Sequence, residues 1–220
     1  MLREMGAPRS APRIFAEQPK LPTGAMRDGT GGRILGAALL LFARNGYHGT
    51  SIRQIGDELG LTPPILYAYF ESKEHLLAEL VRVGHAVHHA ALRHALVDAG
   101  GGPIEQIRAL VQAHVRMHAE YPMLASVANG EMHALSPELV APSLALRSES
   151  EAMFFDVVQR GVTLGVFEPP HPWVTVAAIG GMGMRVANWY RPEVGLSIDQ
   201  LADVHAELAL RMLGAKGGRR

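Results

Sequence analysis

From Arg33 to Leu213 apolar side chains return every three or four residues, and nowhere does a sustained every-other-residue alternation replace that rhythm. Such a chain packs helices on helices and has no strands from which to build a sheet, so the expected fold class is all-α. With 220 residues, 48% of them apolar and 19% charged, it is long and apolar enough to enclose a substantial core. The breaks in the pattern divide it into about nine helices.

The first three are short and distinctive. Ile34, Ala37, Ala38, Leu41 and Phe42 share one face of a helix that Asn45-Gly46 stops. Thr50 or Ser51 caps a second helix in which Ile52, Ile55 and Leu59 fall at i, i+3 and i+7, and Gly60 ends it. Thr62 caps a third, and Pro63 suits its first position because the missing N–H would have had no partner there. Ser72 then caps a long fourth helix from Lys73 to about Asp98, closed by Gly100-Gly101-Gly102-Pro103. Beyond it, helices are expected over Ile104–Glu120, a shorter one to about Leu135, Pro137–Gly165 with an interruption at Pro142, Pro172–Arg191, and a last one capped by Ser197 and ending near Leu213.

Two short helices joined at Gly60-Leu61 have the spacing of a helix-turn-helix, in which the first helix buries its isoleucine face and the second carries its N-terminal end into a DNA major groove. Tyr67 and Tyr69 lie two apart and point in different directions, so at least one faces solvent, where a phenol suits a phosphate hydrogen bond. Lys73 sits in the first turn of a helix, against the preference for acids there. A phosphate bound at the same helix end would resolve that conflict.

The run from Thr50 to Leu77, with the element Leu66-Tyr67-x-x-Phe70-x-x-Lys73 and Leu76, resembles the DNA-binding signature of the TetR family of bacterial repressors. The resemblance covers about 45 residues. It implies that the helix after Gly60 is the recognition helix, that Tyr67, Tyr69 and Lys73 contact phosphates or groove edges, and that Arg53 reads a base. Thr50, Thr62, Pro63, Pro64 and Ile65 complete the expected DNA surface. The two prolines and Ile65 stand where many relatives carry polar base readers, which favours thymine-methyl or shape readout.

Domain organisation follows: a basic arm over 1–30, a DNA-binding unit over 31–75, a ligand-binding and dimerisation body over 76–214, and a basic tail over 215–220. Residues 1–33 hold six Lys or Arg against three Asp or Glu, although the whole chain balances 21 basic with 21 acidic residues. The start lacks a signal peptide's apolar region, and the longest apolar stretch, Trp173–Met184, is too short for a bilayer, so a cytoplasmic protein without a membrane partner is expected.

The chain has no cysteine, which removes disulfides and thiolate chemistry. No Walker lysine, His-Glu-x-x-His or Gly-x-Ser-x-Gly occurs, and the one Glu-x-x-His spacing, Glu168 to His171, contains two prolines. An enzyme is not expected, nor a cofactor. His85 with His89, and His114 with His118, are i, i+4 pairs with a spacing that suits a transition metal, but spacing alone assigns no metal site. The expected role of His114, His118 and His133 is to line a pocket without metal.

Ala177, Gly180, Gly181, Gly183 and Ala187 strip one helix side of its side chains, which favours close approach of a second helix across a homodimer interface formed by the helices near 143–164 and 172–191. Segments such as Arg160–Phe167, Ala187–Pro192 and Leu208–Leu213 resemble the C-terminal domains of TetR-type repressors of fatty-acid and steroid catabolism. That resemblance implies an acyl-CoA effector, for which Arg147, Arg160 and Arg185 are the cations available. The competing reading is a regulator of the same family without a small-molecule ligand, gated by a protein partner or constitutive.

Overall fold

The computed structural model describes residues 18–23 and 29–215, and all of their regular structure is helical. Most of the expected arm and the tail beyond Ala215 lie outside these residues. The order is α1 (Thr30–Asn45), α2 (Ile52–Leu59), α3 (Pro63–Tyr69), α4 (Lys73–Asp98), α5 (Pro103–Glu120), α6 (Pro122–Gly130), α7 (Pro137–Thr163), α8 (Pro172–Met184), α9 (Val186–Trp189) and α10 (Ile198–Met212). Two expectations change. The segment expected as one helix from Pro172 to Arg191 breaks at Arg185 into α8 and the single turn α9. Conversely, α7 runs on through Pro142, which is exposed and whose i−4 carbonyl, on exposed Glu138, is left to solvent near the helix start.

Local chemistry sets the boundaries of the first helices. Ser51 and Gln54 form a capping box on α2: the Gln54 N–H donates to Ser51 Oγ at 3.2 Å, and the Ser51 N–H donates to Gln54 Oε1 at 2.7 Å. The cap is therefore Ser51, while Thr50 is buried and donates its hydroxyl to the carbonyls of Leu41 and Gly46. At the turn, Gly60 takes a left-handed conformation with φ +66°, and a Cβ on Gly56 would lie 2.5 Å from the Leu61 carbonyl oxygen. This pair of glycines lets α2 and α3 meet. Ser72 caps α4, accepting the His75 N–H at 3.2 Å.

Two hydrophobic cores form, and they do not divide where the sequence suggests. The first joins α1, Ile55, Leu66, Phe70 and the first third of α4 to Met123, Leu124 and Val127 of α6 and to Met132 and Leu135. The second gathers Leu92 of α4 with α5, α7, α8 and α10, and α5 packs against α4, α7, α8 and α10. Helix α4 thus belongs to both cores, and α6 reaches into the core of the DNA-binding unit. Residues 18–23 are laid on the same region: Pro22 is buried, Leu21 packs on the first core, and Lys20 Nζ sits 4.8 Å from the centre of the Tyr121 ring. Among the described residues no helix is long and apolar enough to cross a membrane.

A shared core predicts coupled unfolding. Leu124→Ala, which removes a fully buried side chain from the α6 end of the first core, is expected to cost about 2–5 kcal/mol. Both tryptophans, Trp173 and Trp189, lie in the body outside that core. Thermal unfolding followed by helix signal and by tryptophan fluorescence should therefore shift together; an unshifted tryptophan transition would mean that the two cores melt independently.

Candidate DNA-binding head and effector cavity

Helix α3 is held by little and shows much. Leu66 is buried, and Phe70 anchors the chain just after the helix, whereas Pro64, Ile65, Tyr67 and Tyr69 are exposed, Tyr67 to 52%. Arg53 of α2 is exposed beside this helix, and so is Thr62, whose hydroxyl makes no capping bond. An aromatic and aliphatic surface left in water by a protein with ample core is the kind that finds its partner elsewhere. Of the residues expected to meet DNA, the structure thus presents Arg53, Thr62, Pro64, Ile65, Tyr67 and Tyr69. Pro63 is half-buried. Thr50 is withdrawn from the surface by its two carbonyl acceptors.

Lys73 has a different occupation from the one expected. Its ammonium donates to the carbonyls of Tyr47 at 2.8 Å and Thr50 at 2.7 Å, and it lies 4.1 Å from the centre of the Tyr47 ring. Two carbonyl dipoles and the π face stabilise the cation that the α4 N-terminus disfavours, so no phosphate is needed to resolve the conflict. Burial holds its pKa below the usual lysine value. The side chain clamps the α1–α2 loop to the start of α4. One residue on, the Glu74 carboxylate accepts the Ser136 N–H at 2.7 Å, which ties the same helix end to the start of α7 and holds the Glu74 pKa down.

The body encloses a cavity of about 680 Å³, within the range of small-ligand sites. Its walls come from α4, α5, α6, α7 and α8, with Met117, Phe154, Phe155, Trp173 and Met184 supplying much of the apolar surface. The lining residues that also reach solvent, Ser148, Glu151 and Ala152 of α7 with Trp173 and Ala177 of α8, mark a mouth between those two helices.

Four histidines line this cavity: His85 and His88 from α4, His114 and His118 from α5. His88 Nε2 and His114 Nδ1 are hydrogen-bonded at 2.8 Å, His114 Nε2 meets the Gly180 carbonyl at 3.0 Å, and His118 Nδ1 meets the His114 carbonyl at 2.8 Å. Burial pushes all four pKa values down, to about 4 for His85, where the Arg147 charge adds to the effect, and to about 3 for His88, where the neighbouring histidines do. The rings are neutral near pH 7. His85 Nε2 is buried without a hydrogen-bond partner.

Several expected ligand and interface residues lie elsewhere. His133 is exposed and bonds the Gly130 carbonyl through Nδ1, outside the cavity. Arg185 is exposed at the α8–α9 break and does not line the cavity, and Arg160 hydrogen-bonds Gln106. Arg147 alone of the three arginines is part of the lining, paired with Glu151 at 3.0 Å. Gly183 serves packing within the protomer, since a Cβ there would stand 2.1 Å from His114 Cδ2, and Ala187 is buried inside the same chain. Gly180 and Gly181 line the cavity, as does Ala177 at its mouth. The i, i+4 pairing of His85 with His89 also gives way, because His89 turns to Glu149 of α7 at 3.0 Å while His88, one residue earlier, faces α5.

A helix-turn-helix head joined by one long helix to a helical body with a ligand-sized cavity defines a DNA-binding transcriptional regulator. The comparisons agree and specify the family. Residues 34–80 match the family described as bacterial regulatory proteins, tetR family, and residues 100–213 match the tetracyclin repressor-like C-terminal domain. The HTH-type transcriptional repressor KstR2 of Mycobacterium tuberculosis is 25% identical over 199 residues, covering 84% of this chain and 94% of that protein. A crystal structure of a tetR-family regulatory protein from Rhodococcus RHA1 superposes with a TM-score of 0.78 at 30% identity over 84% of this chain and 96% of that one. The structure of AibR in complex with isovaleryl coenzyme A and operator DNA has the same fold, with a TM-score of 0.73 at 22% identity, covering 83% of this chain and 97% of that one. The chain belongs to the TetR family.

The internal role of Lys73 separates from a phosphate contact by salt dependence. Lys73→Met should lower both thermal stability and affinity for DNA while leaving the slope of log affinity against log salt unchanged. A slope reduced by about one unit at unchanged stability would return Lys73 to the phosphate backbone.

Proposed function

We propose that this protein is a homodimeric repressor that sets two α3 helices into successive major grooves of a palindromic operator and is released by an apolar effector in the body cavity. The observation that carries this reading is the double attachment of α4. Its first turn is clamped to the head by Lys73, and its middle supplies Gly84, His85 and His88 to the cavity wall. A ligand that favours one placement of α4 therefore biases the placement of α3. Half-sites repeat about one helical turn apart, roughly 34 Å, so a dimer whose heads depart from that spacing binds more weakly.

Within the head, Tyr67 and Tyr69 are assigned to phosphates and groove edges, Arg53 to a base, and Pro64 with Ile65 to thymine methyls or groove shape. For the subunit contact, support comes from Val204, Leu208 and Met212, which recur at i, i+4 and i+8 on α10 and are all exposed, and from exposed Val174 and Ala178 on neighbouring α8. This α8–α10 surface replaces the glycine stripe as the proposed interface. Apolar side chains in that register have no role in a soluble monomer.

An acyl-CoA is the effector class proposed, with the acyl group in the cavity and the CoA portion leaving between α7 and α8 past Arg147. The cavity's apolar lining and size support the acyl part, and AibR, a protein of the same fold, has been seen with such a thioester and its operator. The test is release from the DNA upstream of the protein's own gene. Micromolar acyl-CoA of matching chain size should dissociate the complex, and the corresponding free acid should do so poorly. Equal potency would remove the role of the CoA portion. Failure of both would favour a regulator without a small-molecule effector.

A further inference from the structure

The four histidines are more than a polar patch in an apolar cavity, because their hydrogen bonds decide which nitrogens carry protons. A backbone carbonyl only accepts, so His114, bonded to Gly180 through Nε2, is protonated there and presents a lone pair at Nδ1. By the same logic His118, bonded to the His114 carbonyl through Nδ1, presents a lone pair at Nε2. His88 then donates its Nε2 proton to His114 Nδ1, and the other neutral tautomer, with the proton on Nδ1, turns that Nε2 into a third lone pair. One ligand atom from each of His88, His114 and His118 lies within 4.8 Å of the others.

We propose that His88, His114 and His118 bind a first-row transition ion of the zinc class, with a fourth coordination position open to the effector cavity. Tetrahedral ions with imidazole ligands at about 2.0–2.1 Å place their nitrogens roughly 3.3 Å apart. The three donors stand within 4.8 Å of one another, so the proposal requires ring rotations that close them to that spacing. The two carbonyls, of Gly180 and His114, are the outer partners that orient metal-bound imidazoles and fix their tautomers. An all-nitrogen set selects zinc, cobalt or nickel over magnesium or calcium, which take oxygen ligands. A water or an effector oxygen fills the fourth position, and the unpartnered His85 Nε2 on the same wall is available to hydrogen-bond it. The remaining described histidines with partners are committed elsewhere: His48 to the Tyr47 ring, His89 to Glu149, His75 to Glu71 and Ser72, His133 to the Gly130 carbonyl, His205 to the Leu201 carbonyl and the Trp189 ring, and His171 to the Val174 N–H.

The consequence is a ligand site joining α4 to α5, since His88 comes from the first and His114 and His118 from the second. An ion there would crosslink the helix that positions the head to the central helix of the body. This inference needs neither an operator nor an acyl-CoA, so it stands or falls separately from the proposed function.

The experiment is a cobalt titration of the untagged, full-length protein after removal of metal with EDTA. One Co²⁺ per chain should bind with the intense visible absorption of a tetrahedral site, and Zn²⁺ should bleach it. His118→Gln and His88→Gln should each weaken binding by at least tenfold. His94→Gln, at an exposed residue, should leave it unchanged. Helix content by circular dichroism checks the fold of each variant, and taking one ligand from α4 and one from α5 guards against a packing defect in a single helix being read as a lost ligand. A weak, octahedral-type spectrum, or a tetrahedral one unaffected by both substitutions, would overturn the proposal.

Discussion

The Lys73 ammonium, held between the Tyr47 and Thr50 carbonyls over the Tyr47 ring, fixes where the head begins relative to α4. Fifteen residues later, about 22 Å along the same helix, His88 reaches the cavity floor. Between them Leu76, Leu77, Leu80, Val81 and Val83 bury α4 in the first core, and Leu92 beyond buries it in the second. No glycine-proline break interrupts the span. A helix packed at both ends transmits a displacement because bending it would strain its hydrogen-bond ladder and open both cores. Head, cavity and body therefore share one mechanical element.

The head does not ride on that element alone. Helix α6 inserts Met123, Leu124 and Val127 into the core that α1 builds, and on its other side Ala125, Ala128 and Asn129 line the cavity. Gly84 of α4 makes this possible, since a Cβ there would stand 2.8 Å from Ala128 Cβ. The cavity wall is thus also the underside of the DNA-binding unit. The hollow interior costs stability that close packing would supply, and under the proposed function a ligand bound there would offset that cost by mass action.

Which parts were legible in the sequence follows from the range of the interactions that form them. Ser51 with Gln54, Gly60, and Ser72 act within four residues, so the helix-turn-helix and the start of α4 could be read almost to the residue. The exposure of Pro64, Ile65, Tyr67 and Tyr69 was legible for the same reason, since a seven-residue helix anchored by Leu66 leaves its other positions outside. The internal contacts of Lys73 were not legible because its partners, Tyr47 and Thr50, are 26 and 23 residues away. In the body, the small residues of α8 and α9 announced a close approach without saying of what. Gly183 admits the His114 ring, Gly180 and Gly181 admit a cavity, and Ala187 faces inward, none of which periodicity distinguishes from a subunit contact. His88 was passed over for His89 because i, i+4 pairing judges one helix, whereas the choice between them was made by α5 and α7. His133 and Arg185 lie at helix ends, where small changes in chain direction decide whether a side chain meets the cavity.

Under the proposed function the cavity state sets the spacing of the two α3 helices through α4, and the cysteine-free chain makes that spacing measurable. A single Glu58→Cys substitution on exposed α2 allows one spin label per head, and pulsed electron–electron resonance then reads the distance between heads in the dimer. One narrow distance is expected in the operator complex, and a distribution displaced by several ångströms when a releasing acyl-CoA is bound. Release of the operator with the distance between heads unchanged would contradict the proposed function.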